Sequence, residues 1–163
     1  MEIQQDFRDL LELFNSNKVE YIIVGGYALA FHGAPRYTGD IDIYVKPDVR
    51  NAEQIMSALD EFGFGSVGLT AVDFEKPGQI IQLGVPPVRI DIITSISGVS
   101  WDEAFAGRVA GRYGDIKVHY IGREQFLKNK RSVGRKKDLA DIEALDEREW
   151  PLKLQIGEIY RLT

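Results

Sequence analysis

Apolar and polar residues follow two spacings along the chain, and each spacing predicts a kind of element. Near the N-terminus, apolar residues recur at helical spacing, which predicts an amphipathic helix. These residues are Ile3, Phe7, Leu10, Leu11 and Phe14. Val19 to Val24 is short, apolar and rich in β-branched residues, which is typical of a buried strand. A short helix over Tyr27 to His32 follows the glycine pair Gly25-Gly26.

The segment from Asp40 to Val45 alternates strictly, which predicts a strand with two different faces. Ile41, Ile43 and Val45 share the face that we expect to meet the core. The other face carries Asp40, Asp42 and Tyr44. The strand therefore presents two carboxylates side by side.

The middle of the chain predicts one helix and a set of antiparallel strands. The helix begins at Pro47-Asp48 and ends at Gly63. Residues 64–90 predict two or three antiparallel strands, with turns at residues 76–78 and at Pro86-Pro87. Val88 to Ile93 is a further apolar strand, interrupted by Asp91.

The remainder predicts three helices around one last strand. Ser100 to Glu103 has the capping-box pattern of a helix start. We expect a turn over residues 111–115, the last strand over residues 116–121, and closing helices over residues 122–131 and 134–147. Together these elements predict an α/β (α+β) fold with a mixed β-sheet flanked by helices. We expect a single domain over residues 1–149 and a tail, 150–163, that packs on the domain or on a partner.

Composition narrows the possible chemistry. There is no cysteine among the 163 residues, so disulfides and thiolate metal sites are excluded. We see no signal peptide and no apolar run of membrane-spanning length, so we expect a cytoplasmic protein without a membrane partner. The net charge is −5, yet residues 123–137 carry +6, which leaves −11 elsewhere. A local basic segment on an acidic protein suggests a focused anion site.

The three strand aspartates predict a metal site. A carboxylate in a buried strand is costly unless it is paired or binds a cation. Oxygen ligands without cysteine favour Mg²⁺ or Mn²⁺ over Zn²⁺. If Asp40, Asp42 and Asp91 converge, a divalent ion is the expected solution. The alternatives are a solvent-facing Asp42 and an Asp91 that pairs with Arg89.

Residues on either side of these aspartates suggest a phosphate site. Gly25 and Gly26 follow a strand and open a helix, where backbone N–H groups can approach an anion. A tight turn without ligand would explain the same glycines. Arg36 and Thr38 lie just before Asp40, and Arg36 could contact a triphosphate, brace Asp42 or lie free on the surface.

These motifs resemble the nucleotidyltransferase fold of the DNA polymerase beta superfamily. The resemblance joins the Gly-Gly turn, the Asp-x-Asp strand and the later Asp91. The segment KNKRSVGRKKDLADIEAL resembles the C-terminal motif of small bacterial members related to abortive-infection (AbiEii-like) and toxin–antitoxin nucleotidyltransferases. It implies roles for Lys130, Arg135, Lys137, Asp138 and Asp141.

The resemblance implies transfer of a nucleoside monophosphate from an NTP, such as ATP, to a hydroxyl, with release of pyrophosphate. Asp40, Asp42 and Asp91 would hold Mg²⁺ or Mn²⁺, and Asp91 would also accept the hydroxyl proton. Gly25 and Gly26 would cradle the outer phosphates. Lys130, Arg135 or Lys137 would neutralise the triphosphate, and Asp138 would orient that cation. The chain departs from the family at Gly26, where a serine is common.

The acceptor and the binding partners stay open. An RNA end, a protein hydroxyl or a small molecule could accept the nucleotide, and the protein could form a homodimer or bind an antitoxin-type partner. A non-catalytic nucleotide- or RNA-binding module, for example within a toxin–antitoxin pair, is the main alternative function. A metal-dependent phosphohydrolase is a third, because it would need the same acidic site.

Overall fold

A six-stranded mixed sheet organises the computed structural model, which describes residues 3–34, 38–65 and 68–146. The strands are β1 (Tyr21–Val24), β2 (Asp40–Val45), β3 (Ile80–Val85), β4 (Val88–Ile93), β5 (Val109–Tyr113) and β6 (Ile116–Tyr120). The helices are α1 (Gln5–Ser16), α2 (Gly25–Phe31), α3 (Val49–Phe62), α4 (Trp101–Gly107), α5 (Arg123–Val133) and α6 (136–146). A 3₁₀ turn covers Ala71–Phe74.

The strand order β3-β4-β2-β1-β6-β5 brings distant segments together. β2 lies between β4, to which it is parallel, and β1, to which it is antiparallel. β1 is parallel to β6, and the hairpins β3–β4 and β5–β6 complete the sheet. The C-terminal end of β1 therefore meets the N-terminal ends of β2 and β4. The α/β fold class with a mixed sheet is confirmed.

The two faces of the sheet are covered by different helices. Ile41, Ile43 and Val45 are fully buried on one face. Tyr21 lies opposite Val45 on that face and its ring contacts Phe14 of α1, so α1 covers this side. On the other face, Trp101 of α4 packs edge-on against Tyr44, with ring centroids 5.1 Å apart. Trp101 therefore covers the Tyr44 end of the face that carries the aspartates.

Local signals fix the helix ends. The Asp48 carboxylate accepts a hydrogen bond from the Asn51 N–H at 2.7 Å, which caps α3. Gly63 ends α3 and Gly134 ends α5, both in the left-handed conformation that glycine adopts without strain. Helix α2 begins at Gly25, two residues earlier than the sequence predicts, so both glycines belong to its first turn.

Two predicted elements are wrong. Between residues 64 and 79 the described residues form the 3₁₀ turn instead of a strand, because Thr70 and Asp73 cap each other's backbone N–H groups. The predicted turn over residues 111–115 is in fact strand β5 with a shorter turn. Gly111 lies within that strand, opposite Val118, and a Cβ there would meet the rings of Phe31 and Tyr120, so only glycine fits.

Several expectations lie outside the described residues or stay predictions. The tail 150–163 and Arg36 fall outside them, and the domain boundary at residue 149 stays a prediction. In the described ranges, none of the helices combines the length and the apolar character that a membrane span requires.

Candidate active site

Asp42 lies at the meeting point of three strands. Its Cα pairs with Val24 of β1 on one side and with Asp91 of β4 on the other. Gly25 follows Val24 directly and has a φ of +67°. A Cβ built on Gly25 would overlap the Oδ2 atom of Asp42. The glycine is therefore required both by its backbone conformation and by the carboxylate against it.

Asp40 and Asp91 are joined by an arginine. The Arg89 guanidinium donates from Nε to Asp91 Oδ1 at 2.8 Å, and from Nη2 to Asp91 Oδ2 at 3.1 Å and Asp40 Oδ2 at 3.0 Å. Arg89 lies opposite Asp40 in the register of β2 and β4. The sequence offered Arg89 as a partner of Asp91, and this pairing is confirmed. The structure thus places the three predicted aspartates in one cluster.

The cluster carries excess negative charge. Burial raises the pKa of Asp42 from its ordinary value of 3.8 to about 6. The neighbouring Asp91 and Asp40 act in the same direction, while Lys130 acts against them. Asp42 is therefore the carboxyl group whose ionised form a further cation would stabilise most.

The donor chemistry of this cluster fits a divalent cation, but the present side-chain arrangement is incomplete. Three carboxylates on adjacent strands are the ligands that Mg²⁺ and Mn²⁺ prefer. Nevertheless, over residues 3–34, 38–65 and 68–146 no three acidic or histidine side chains form a ready group of metal ligands. Asp40 and Asp91 instead form ion pairs with the Arg89 guanidinium.

Thr38 and Gly26 form the other wall of the cluster. Gly26 is buried in the first turn of α2. A Cβ on Gly26 would lie 3.1 Å from Thr38 Cβ and 3.2 Å from Thr38 Oγ1. The Thr38 hydroxyl donates to the Asp40 carbonyl oxygen at 3.0 Å. The space that a serine at position 26 would need is therefore already filled by Thr38.

Lys130 belongs to a buried ion-pair network. Its ammonium lies 3.3 Å from Asp138 Oδ1 and 3.3 Å from Asp141 Oδ2. Arg135 adds a second cation, with its Nε 2.7 Å from Asp138 Oδ2. Burial alone would raise the pKa of Asp138, but the bonds from Arg135 and Lys130 outweigh it and hold that pKa at about 2. The predicted role of Asp138 as a partner of the basic group agrees with this geometry.

The other predicted cations differ in accessibility. Arg135 keeps 57% of its side chain exposed although it binds Asp138. Lys137 on α6 is exposed and makes no ion pair within the described part of the chain. Lys130 is 7% exposed, and its charge acts to lower the pKa of Asp42. A role of these three residues toward a triphosphate stays a prediction.

The chain is similar to known proteins in structure but not in sequence. No protein-family model matches the chain, and no curated protein matches it in sequence. Several solved structures match its fold. A candidate nucleotidyltransferase from Thermotoga maritima superposes with a TM-score of 0.58 at 16% identity, covering 90% of this chain and 91% of that one. The chain has the fold of nucleotidyltransferases.

Two further structures agree with this fold. The lincosamide antibiotic adenylyltransferase LnuA, solved with lincomycin bound, gives a TM-score of 0.52 at 17% identity and covers 90% of this chain and 98% of that one. An antigenic nucleotidyltransferase-like protein from Paracoccidioides brasiliensis gives 0.50 at 23% identity, covering 83% and 70%. At these identities the similarity concerns the fold alone.

A cleft elsewhere on this nucleotidyltransferase fold contains none of the predicted site residues. It has a volume of about 550 Å³ and lies between α1, the end of α3 and the β3–β4 hairpin. Leu83, Val88 and Ile90 line it. Ile90 alternates with Arg89 and Asp91 along β4, so the cleft lies on the opposite face of the sheet from the aspartates. The cleft is therefore separate from the aspartate cluster.

The sequence left two features of the site without a role. Arg89 was considered only as a partner of Asp91, although an Arg-x-Asp spacing on a strand places both side chains on one face. Its contact with Asp40 depends on the register of β2 against β4, which the sequence does not state. Tyr27, the first residue after the glycine pair, is buried between Phe7 and Tyr113. Its described contacts are those of a core residue.

We expect Gly25→Ala to destabilise the fold and displace Asp42. The positive φ alone costs an alanine about 1–2 kcal/mol, and the overlap with Asp42 adds to it. Gly134→Ala is the matched control, because Gly134 has a φ of +69° and its added Cβ would meet only the Arg131 carbonyl oxygen, at an ordinary contact distance of 3.6 Å. Thermal unfolding should show a larger loss for Gly25→Ala. Equal losses would mean that the Asp42 contact carries no weight.

Proposed function

We propose that this protein is a Mg²⁺-dependent nucleotidyltransferase that moves a nucleoside monophosphate from an NTP to a hydroxyl acceptor and releases pyrophosphate. One observation carries the proposal. Asp42 and Asp91 are paired across two parallel strands, Asp40 shares their face, and Gly25 packs against the central carboxylate. This arrangement concentrates negative charge where a cation and a phosphate chain can meet.

The aspartates would hold the metal, and the surrounding residues would position the phosphates. Asp40, Asp42 and Asp91 are the proposed ligands. A bound divalent cation would polarise the phosphate oxygens and lower the pKa of the attacking hydroxyl. Gly25 and Gly26 offer backbone at the edge of the cluster, and Thr38 contributes a hydroxyl beside Asp40. Arg36, Arg135 and Lys137 are the proposed partners of the outer phosphates, together with Lys130 if it exchanges an aspartate for a phosphate.

The transfer step can be written in terms of these groups. The acceptor oxygen attacks the α-phosphorus and forms a new O–P bond, while the bond from that phosphorus to the α,β-bridging oxygen breaks. Pyrophosphate leaves with the electrons of the broken bond. The hydroxyl proton passes to the Asp91 carboxylate, which the Arg89 ion pair keeps within the cluster. The basic side chains would stabilise the charge that develops on the leaving pyrophosphate.

A label-transfer assay tests the proposal directly. Purified protein is incubated with each of the four α-labelled NTPs, Mg²⁺, and separate RNA, protein and small-molecule fractions of a cell extract. LnuA, an antibiotic adenylyltransferase, is the reason to include ATP and hydroxylated small molecules. We expect label in one fraction and an equal amount of pyrophosphate. Folded protein that labels no fraction and releases no pyrophosphate would refute the proposal.

A second candidate function is a non-catalytic nucleotide- or RNA-binding module, for example in a toxin–antitoxin pair. One observation favours it: Arg89 already neutralises Asp40 and Asp91, so the described residues contain no ready group of metal ligands. NTP binding by calorimetry that is unaffected by EDTA, without turnover, would support this function over transfer.

A further inference from the structure

Among the described residues, Arg89 makes the closest cationic contact with the aspartate cluster. Its guanidinium bonds both oxygens of Asp91 and one oxygen of Asp40. These are the oxygens that a metal ion would use. The Arg89 side chain is 23% exposed, and the carboxylates it bridges are 35% and 11% exposed. The arginine therefore lies within the cluster and is only partly screened by solvent.

The Arg89 guanidinium, which bridges Asp40 and Asp91, does not balance the charge of the aspartates. Asp40, Asp42 and Asp91 carry three negative charges when ionised, and Arg89 carries one positive charge. The hydrogen bonds of Arg89 go to Asp40 and Asp91, whereas the Asp42 carboxylate lies against Gly25. Asp40 and Asp91 are consequently turned toward the guanidinium, which explains why the three carboxylates do not form a ready metal-ligand group.

We propose that Arg89 is a positioning residue that acts as a placeholder cation: it holds Asp40 and Asp91 together in the metal-free protein and competes with the divalent ion for Asp40. This inference rests on the proposed function, since it assumes that the aspartates bind a metal. A bound cation would take Asp40 from Arg89. Arg89 would keep its two bonds to Asp91, its neighbour on the same face of β4.

The competing explanation is that Arg89 only orients the carboxylates and so assists metal binding. The two explanations predict opposite signs. If Arg89 competes, its removal frees Asp40 and takes away a positive charge close to the ion, so the metal binds more tightly. If Arg89 only orients, its removal loosens Asp40 and Asp91, so the metal binds more weakly.

Binding of Mn²⁺ alone, followed by EPR of the free ion, distinguishes them without any measurement of activity. The full chain and three variants are compared: Arg89→Gln, Arg89→Lys and the control Arg112→Gln. Arg112 lies on β5, and its Nη1 donates to the Asp115 carbonyl oxygen far from the cluster. We expect Arg89→Gln to lower the Kd for Mn²⁺ at least about tenfold. Arg89→Lys and Arg112→Gln should stay near the wild type.

Thermal unfolding with and without Mn²⁺ covers the case in which Arg89→Gln folds poorly. Competition predicts that Mn²⁺ raises the Tm of Arg89→Gln more than that of the wild type, because the ion replaces the missing charge. A higher Kd or an unchanged Kd in folded Arg89→Gln would overturn the inference while leaving the proposed function standing. Absence of Mn²⁺ binding in every variant would overturn the metal site itself, and the inference with it.

Discussion

Asp42→Asn is expected to abolish nucleotide transfer and, at the same time, to stabilise the metal-free protein at neutral pH. The loss of activity follows from its place between Val24 and Asp91, where it would be a central ligand. Metal-assisted stabilisation of several kcal/mol corresponds to at least about a thousandfold in rate. We expect label transfer to fall below detection, measured with the same NTP and acceptor fraction as the wild type.

The gain in stability follows from the pKa of Asp42. Burial and the neighbouring carboxylates raise that pKa from 3.8 to about 6. The folded protein therefore binds the proton more tightly than the unfolded chain does, so the free energy of unfolding falls as pH rises from about 4 to about 6. A change from 3.8 to about 6 corresponds to up to about 3 kcal/mol. Asparagine removes the charge and hence this penalty.

Chemical denaturation in EDTA between pH 4 and pH 8 measures the effect. The two proteins should be similar near pH 4, and the variant should be the more stable one above pH 6. Excess Mn²⁺ should narrow the difference by stabilising the wild type alone. Asp48→Ala serves as a control, because the Asp48 carboxylate caps α3 and loss of that cap should destabilise the protein. A variant that is less stable than the wild type at pH 7 would contradict the assignment of Asp42 as a strained carboxylate.

The sequence predicted those parts of the fold that depend on local signals. Such signals act within a few residues and can therefore be recognised in the sequence. Examples are the alternation in β2, the cap at Asp48 and the glycine that ends α3. The error at residues 111–115 arose where a distant contact decides. Gly111 signals a turn by its identity, yet it lies in β5, where the rings of Phe31 and Tyr120, stacked with centroids 4.2 Å apart, leave no room for a Cβ. No local pattern contains that information.

The candidate site shows the same division between local and distant signals. The sequence was sufficient to select Asp40, Asp42 and Asp91 as site residues, because a charged residue in an apolar strand is costly unless it is paired or binds a cation. That Asp42 pairs with Asp91, and Arg89 with Asp40, follows from a register set by the whole sheet. The basic segment, residues 123–137, shows most clearly what the sequence does not reveal. Its positive charge is evident from the sequence. Which of its side chains are accessible to a ligand, and which are buried in ion pairs, depends on the fold.

Lys130→Met is expected to destabilise the protein strongly, whereas Lys128→Met two residues earlier should have little effect. Both lysines lie on α5 and both form ion pairs. Lys128 approaches Glu103 to 2.6 Å, closer than Lys130 approaches its partners, but its side chain is 53% exposed. Exposed pairs contribute about 0–1 kcal/mol because water competes for both charges.

Lys130 differs because its carboxylate partners have little access to water. Asp138 is fully buried and Asp141 is 4% exposed, and the ammonium lies 3.3 Å from an oxygen of each. Removing the cation leaves buried negative charge with less compensation, which costs about 3–5 kcal/mol. Arg135 still pairs with Asp138, so the lower end of that range is expected. Denaturant unfolding at pH 7 measures both variants.

Two further measurements separate the charge effect from lost packing of the lysine stem. Bonds from Arg135 and Lys130 overcome burial and hold the pKa of Asp138 at about 2, so the ionised carboxylate stabilises the fold above pH 4. That contribution is lost as pH falls from about 4 to about 2. The deficit of Lys130→Met should therefore shrink toward acid pH. The triple variant K130M/D138N/D141N, which removes the buried charges together, should recover at least half of the stability lost at pH 7. If it recovers none while Lys130→Met is equally unstable at every pH, packing and not the ion pair holds α5 against α6.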